Sequence, residues 1–282
     1  MGLLFILTYS LIIPHRGPAH LLQRLLHSIP QREDMEVIVI EDKEARGAGW
    51  ARNQGLRKAK GEYLLFADSD DYFMPAINEV LDRHHTEDVI YFSATSIEEG
   101  TGRLSWRAAR VNWMMSQEPA ERELLLRHTF TEPWCHIVRR QFVEEHGIRF
   151  DETPILNDVH FTTHVGYYAK TVCVLTVQAY CVCNYPDSVG KRKTSPCLVA
   201  YSKVMAETNM FNISHGIDRY HARMMRPFMR SLLMLHLPTA SKCWKAMREA
   251  GVPLGLLTKE IVIYPYHLLH WYKRRCKYAP FA

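Results

Sequence analysis

Asp68, Ser69, Asp70 and Asp71 stand together in "FADSDDYF", directly after the apolar run Leu64, Leu65 and Phe66. Carboxylates two apart at the end of a buried strand can both approach one hard cation. Mg2+ and Mn2+ commonly take one or two carboxylates, while diphosphate oxygens and water complete the shell. The same residue types also build a hydrogen-bonded turn ahead of a helix, so the chemistry depends on what else converges there. "RGAGWARN", Arg46 to Asn53, sets two glycines and two arginines where a helical pattern starts. Helix N-termini and glycine backbone bind phosphates, and glycines also serve plainly as helix starts. The spacing departs from a dinucleotide fingerprint, because Arg52 occupies the third small position and the glycines begin several residues beyond the strand. Asp158, in "FDETPILNDVHF", is either a helix cap or a base. His160 and His164 share a helix face, but the HExxH glutamate and a third ligand are missing, which favours surface histidines over zinc. The sequence contains neither a GxSxG elbow nor a Walker loop, so serine hydrolase and P-loop chemistries lack their positioning devices.

The elements that must hold these residues alternate in type. Leu11 to Ile13 ends a first buried strand, and "PAHLLQRLLHSI" places Leu21, Leu22, Leu25, Leu26 and Ile29 at helical spacing. "EVIVI", "EYLLFA" and "DVIYF" read as strands, separated by the helical patterns "WARNQGLRKAK" and "PAINEVLDRHH". This alternation predicts an α/β fold with a mostly parallel sheet and helices on both faces. In open sheets of this kind ligands sit beyond the carboxyl ends of the strands. Those ends carry "PHR", "EDK" and "DSDD", so three polar clusters are expected to face one crevice. After Ser93 the pattern becomes a β-ribbon or irregular excursion, followed by helices at "PAERELLLRH", "QFVEEH" and Asn157 to Lys170, and the strand "TVCVLTV". From Pro196 onward it is mainly helical, with Pro227, Pro238, Pro253 and Pro265 expected to break the helices.

Composition sets outer limits. A chain of 282 residues with 47% apolar and 23% charged residues is expected to fold as a globular protein. The net charge of +5 is uneven. Lys242, Lys245, Arg248, Lys259, Lys273, Arg274, Arg275 and Lys277 face only Glu249 and Glu260 in the last stretch, which is therefore strongly basic. Interleaved with Tyr264, Tyr266, Trp271, Tyr272 and Tyr278, it suits an anionic surface, or a solvated helix face whose aromatics turn into the core. Seven cysteines without a CxxC indicate neither a disulfide framework nor a zinc cluster and fit a reducing compartment. The apolar opening lacks a basic leader and a cleavage site, and Pro14 ends it short of the roughly 20 residues a membrane span needs. No other segment reads as a span.

Taken in order, "LIIPHRGPAHLLQRLLHSI", "EVIVIEDK", "GAGWARNQGLRKAKGEYLLFADSDDYF", "PWCHIVRRQFVEEHGIRFDE" and "NDVHF" resemble the inverting glycosyltransferase family 2, of the GT-A fold. The likeness runs from about residue 10 to residue 190 and is most specific between Gly47 and Phe73. It implies a GT-A catalytic domain over 1–190, with a nucleotide-sugar half (1–95) and an acceptor half (96–190), and a mainly helical region over 191–282. It further implies transfer of a sugar from a nucleoside diphosphate donor, UDP-linked, to a hydroxyl of a glycan or lipid-linked acceptor, with Mn2+ or Mg2+ as cofactor. By similarity, Pro14, His15, Arg16, Glu41 and Asp42 border the nucleoside. Arg52 lies near the base or diphosphate, Asp68 near the ribose, Ser69 among the nucleotide-sugar contacts, and Asp70 with Asp68 at the metal. Asp158 matches the catalytic base.

Trp134, Asn157, Lys191 and Arg192 are candidates for contacts to the diphosphate or acceptor. The loop holding Lys191, Arg192 and Lys193 either closes over the diphosphate or lies as a solvated surface. Two departures stand out: Glu41 replaces the family's first Asp after the second strand, and Asn157 replaces its usual Glu. The processive QxxRW element is missing, which favours a single-transfer enzyme of surface polysaccharide synthesis. Such an enzyme is expected in the cytoplasm, peripheral to the membrane, with no nucleic-acid partner. Alternatives are a noncatalytic nucleotide-sugar-binding module of the same fold and an NAD-dependent dehydrogenase.

Overall fold

The computed structural model describes residues 7–185, 193–217 and 224–278, the last stretch from 267 on as backbone alone. The chain divides into two compact units. One comprises Met1–Glu152, Phe161–Tyr185 and Tyr278–Ala282, the other Thr153–His160 and Pro186–Lys277.

The first unit is built on a seven-stranded sheet among the described residues, ordered β2-β1-β3-β6-β5-β7-β4. Its strands are β1 (Tyr9–His15), β2 (Met35–Glu41), β3 (Tyr63–Phe66), β4 (Tyr72–Phe73), β5 (Val89–Glu98), β6 (His136–Arg139) and β7 (Val172–Asn184). β1 and β3 are buried at every position, as continuous apolar central strands must be. β2 lies at the edge and leaves Val37 and Val39 exposed. The sheet is mixed: β1 pairs in parallel with β2 and β3, and β5 with β7, while β6 and β4 run antiparallel to their neighbours. The excursion after Ser93 begins as a continuation of β5, which pairs with β7 from Ala94↔Tyr180 to Glu98↔Asn184 after register shifts around Ser93. "TVCVLTV" is accordingly only the first half of β7.

Register brings the carboxyl ends of the first three strands together. His15 lies opposite Glu41, and Ile12 opposite Phe66. Past the strand ends, the Asp42 N–H donates to the His15 carbonyl at 2.8 Å and the Ala67 N–H to the Ile12 carbonyl at 3.2 Å. Helices α1 (Ala19–Ser28) and α2 (Ala48–Lys58) connect these strands, α3 (Ile77–Leu81) follows β4, and α4 (Ala109–Met115), α5 (Pro119–Thr129), α6 (Arg140–Glu145) and α7 (Val159–Tyr168) come later. α2 packs on β1 through Gly55, where an added Cβ would stand 2.3 Å from Ile12 Cγ2. That close approach fixes the height of Arg52, one turn earlier on the same helix.

The second unit is helical: α8 (Ser195–Ser214), α9 (Met225–Leu233), α10 (Leu237–Glu249) and α11 (Leu254–Tyr278). Val204, Met205, Met225, Cys243, Met247 and Leu257 are core residues of this unit. Pro238 sits in the first turn of α10, Pro253 directly precedes α11, and Pro227 falls in the first turn of α9. All are places where a missing N–H costs nothing within the helix. Pro265 is different. It lies inside α11, which continues through it, so the expected break is absent. Proline there removes one bond to the preceding turn, and the turns on either side carry the helix on.

Gly55→Ala is expected to destabilise the protein by about 1–3 kcal/mol through overpacking against Ile12, read as a lower urea midpoint at unchanged slope.

Candidate active site

The acidic turn leaves β3 at Ala67 and closes when the Asp71 N–H donates to the Asp68 carbonyl at 3.0 Å. Asp71 is buried. Its Oδ1 accepts the Cys183 N–H at 2.7 Å and its Oδ2 accepts the Tyr180 hydroxyl at 3.0 Å. The same hydroxyl oxygen accepts the Asp68 N–H at 2.9 Å. Tyr180 in turn stacks on Trp134, with ring centroids 5.5 Å apart and planes 10° from parallel. Burial, followed by the charges of Asp70 and Asp68, pushes the Asp71 carboxyl well above the usual range. Asp71 thus anchors the turn to β7, and Trp134 lies in the core behind Tyr180.

The other two carboxylates are only half-buried. Arg52, held with 4% of its side chain exposed, places Nη2 2.5 Å from Asp68 Oδ1 and stacks its guanidinium over Phe150. The Asp70 carboxyl is raised to about 6, first by burial and then by the charge on Asp68. Arg24, on α1, holds the back of the turn. Its Nη2 donates to the Asp70 carbonyl and, at 3.0 Å, to the Tyr185 hydroxyl, while its Nη1 pairs with Glu99 at 3.0 Å. Sequence reasoning missed Arg24 and Tyr180. The only sequence signals for them are an arginine on an otherwise apolar helix and a tyrosine in a long strand, and neither names its partner.

The neighbouring strand ends carry the remaining candidates. Asp42 is buried, and its carboxylate accepts the N–H groups of Arg46 at 2.8 Å and Gly47 at 2.7 Å. Gly47 has φ 103°, a conformation that favours glycine. The anion held by the glycine loop's first amides is therefore the chain's own Asp42. Pro14 and His15 end β1 and are buried, Arg16 is exposed, and Glu41 is exposed beside Lys43 at 3.1 Å. Ser69 sits half-buried within the turn. Asn157 and Asp158 belong to the segment that groups with the helical unit, directly before α7. Lys191 and Arg192 lie outside the described residues.

Among the described residues no group of three or more His, Cys, Asp or Glu side chains could by itself hold a metal. The donor set is smaller, Asp70 with Asp68, and Asp68 is already partnered by Arg52. A hard divalent cation that draws its other oxygens from a diphosphate and water requires only one or two carboxylates. The half-buried carboxylates of Asp68 and Asp70, two residues apart in one turn, supply that number, so the residues fit such an ion.

Residues 20–147 match the model of the family described as Glycosyl transferase family 2. The matched residues include Arg24, Asp42, Arg52, the acidic turn and Trp134, and stop before Asn157 and Asp158. The chain is 26% identical to EpsH of Bacillus subtilis over 144 residues, 49% of this chain and 42% of that protein. It is also 26% identical over 208 residues to the poly(ribitol-phosphate) beta-N-acetylglucosaminyltransferase TarS of Staphylococcus aureus, covering 61% of this chain and 35% of TarS. The chain thus spans less than half the length of these curated relatives. A crystal structure of TarS residues 1–349 in complex with UDP-GlcNAc shares the fold, with a TM-score of 0.67 at 19% identity, covering 87% of this chain and 82% of that one.

The raised Asp70 value yields a signed prediction. The folded state binds the Asp70 proton more tightly than the unfolded chain, so the stability protonation confers is complete below the unperturbed 3.8 and lost as pH rises through about 6. Asp70→Asn, which cannot ionise, is expected to match wild type near pH 3.5 and to exceed it by about 2–3 kcal/mol above pH 6.5, in unfolding titrations with EDTA present.

Proposed function

We propose that the protein is a metal-dependent, inverting glycosyltransferase that moves a sugar from a UDP-linked donor to a hydroxyl of a glycan or lipid-linked acceptor in surface polysaccharide synthesis. The observation that carries this reading is the half-buried pair Asp68 and Asp70, one held by Arg52 and the other raised in pKa, at the joined carboxyl ends of β1, β2 and β3. The match to the family model and the fold shared with a UDP-GlcNAc complex of TarS support it.

In this mechanism Asp70 and Asp68 would hold Mn2+ or Mg2+, which would supply neutralisation of charge on the diphosphate leaving group. Arg52 orients Asp68 through the contact of its Nη2 with Asp68 Oδ1. Asp158 accepts the proton of the acceptor hydroxyl as that oxygen forms its bond to the anomeric carbon. The bond from that carbon to the phosphate oxygen breaks, its electrons leave with UDP, and one in-line displacement inverts the configuration. Pro14, His15, Arg16, Glu41 and Asp42 border the nucleoside. For Asp42 this role runs through the backbone it shapes, since its carboxylate is occupied by Arg46 and Gly47. The basic end of the chain keeps the enzyme near a membrane-borne acceptor.

The test is turnover of nucleotide sugars with Mn2+ present. Asp70→Ala and Asp158→Ala are each expected to lower kcat by about 100-fold or more, with EDTA reproducing the first effect in wild type. Turnover unchanged in both variants removes the roles given to Asp70 and Asp158, and UDP binding without turnover by wild type leaves a binding module. Thermal stabilisation by NAD in place of UDP with Mn2+ removes the nucleotide-sugar reading altogether.

A further inference from the structure

The helical unit presents an aliphatic tip that its fold does not require. α9 ends at Leu233 and α10 begins at Leu237. Between and at these ends Leu233 is 75%, Met234 55%, Leu235 82% and Leu237 60% exposed. The turn itself is a helix-ending motif in which the Leu235 N–H donates to the Leu232 carbonyl at 3.0 Å and the His236 N–H to the Ser231 carbonyl at 2.8 Å. Such a motif places one residue in the left-handed region, normally glycine. Here that residue is Leu235, with φ 56°. A branched side chain in that conformation is strained, and one so exposed contributes nothing to the core. Neither backbone conformation nor burial within the unit accounts for leucine at this position.

Charge identifies what does. From Met224 to Arg248 the chain contains Arg226, Arg230, Lys242, Lys245 and Arg248 and no Asp or Glu. Arg230 lies three residues before Leu233, and Lys242 five after Leu237, and both are exposed. At about 1.5 Å per residue, these cations stand about one to one and a half turns behind the aliphatic tip. An interfacial segment needs that arrangement, with apolar side chains at the acyl boundary and cations at the level of lipid phosphates. Among the described residues no helix is long and apolar enough to cross a membrane.

We propose that the α9–α10 turn inserts Leu233, Met234, Leu235 and Leu237 into the interface of an anionic bilayer, with Arg230 and Lys242 on the headgroup phosphates. The proposal deepens the membrane part of the proposed function and is independent of the chemistry assigned to Asp70 and Asp158.

Leu235→Gly separates the two roles this residue could have. Glycine relieves the left-handed conformation, so the thermal midpoint is expected to stay level or rise. Loss of the side chain is expected to lower partitioning onto vesicles of equimolar phosphatidylglycerol and phosphatidylcholine, and adding Leu233→Ser to bring the loss to about tenfold or more. A chain ending before Tyr264 measures the basic C-terminal contribution separately. Equal partitioning of wild type and the double variant, whether both bind or neither does, overturns the proposal. Self-association that disappears in the double variant without any vesicle binding by wild type also overturns it, and assigns the tip to a second copy. Stabilisation by UDP with Mn2+, measured on the same proteins, reports on the donor site alone, so failure of that reading remains distinguishable.

Discussion

A buried carboxylate governs the sheet unit. Asp71 has no access to water, so both of its oxygens must be satisfied internally, and both are, by the Cys183 N–H and the Tyr180 hydroxyl. Leaving either buried group unpaired costs about 1–3 kcal/mol, so the arrangement is strongly favoured once β7 has formed. Its consequence is geometric. With Asp71 turned in toward β7 and Tyr180 also accepting the Asp68 N–H, the turn has one way to sit on the sheet. The stacking of Trp134 on Tyr180 extends that constraint to the segment before β6. Three carboxylates adjacent in sequence are thereby sorted, one into the core and two toward solvent.

The sorting leaves an electrostatic problem that the protein solves only in part. Arg52, nearly excluded from water, has a hydrogen-bonded partner in Asp68 and an aromatic face in Phe150. Arg24 lies on the other side and spends its donors on the Asp70 carbonyl, Glu99 and Tyr185. Its charge lowers the Asp70 carboxyl less than burial and Asp68 raise it. A fully neutralised cluster would be a structural ion pair and nothing more. An incompletely neutralised one is a place where a cation gains free energy by binding, which makes the imbalance the chemically informative property of the site.

Much of this was legible in the sequence, for physical reasons that can be named. β1 and β3 are buried on both faces, and such strands write themselves as continuous apolar runs with polar residues at their ends. The convergence of "PHR", "EDK" and "DSDD" followed from strand alternation alone, and the register bears it out. Long-range satisfaction was not legible. Asp71 meets its partners more than a hundred residues away, and nothing in "DSDD" says which carboxylate turns inward. The glycine loop was legible only in part. Its first two amides, at Arg46 and Gly47, are taken by the Asp42 carboxylate four and five residues before them, a pairing its sequence does not announce. The antiparallel direction of β6 was not legible, because a four-residue strand, His136–Arg139, carries no mark of its direction in the sequence.

Asp158 shows a different limit. Its neighbour Val159 packs into the core of the helical unit, and His160 sets its Nε2 3.2 Å from the Val204 carbonyl on α8. The backbone at Asp158 is therefore positioned by helix packing, whereas Asp68 and Asp70 are positioned by strand register and a buried carboxylate. A core made of Val204, Met205, Met225 and Met247 is rich in methionine, which fills irregular space and tolerates substitution. Strand register is discrete, since a one-residue slip turns every side chain to the opposite face. The acidic turn is therefore fixed by register and by Asp71, whereas the backbone at Asp158 is fixed by what Val159 and His160 touch in the helical core.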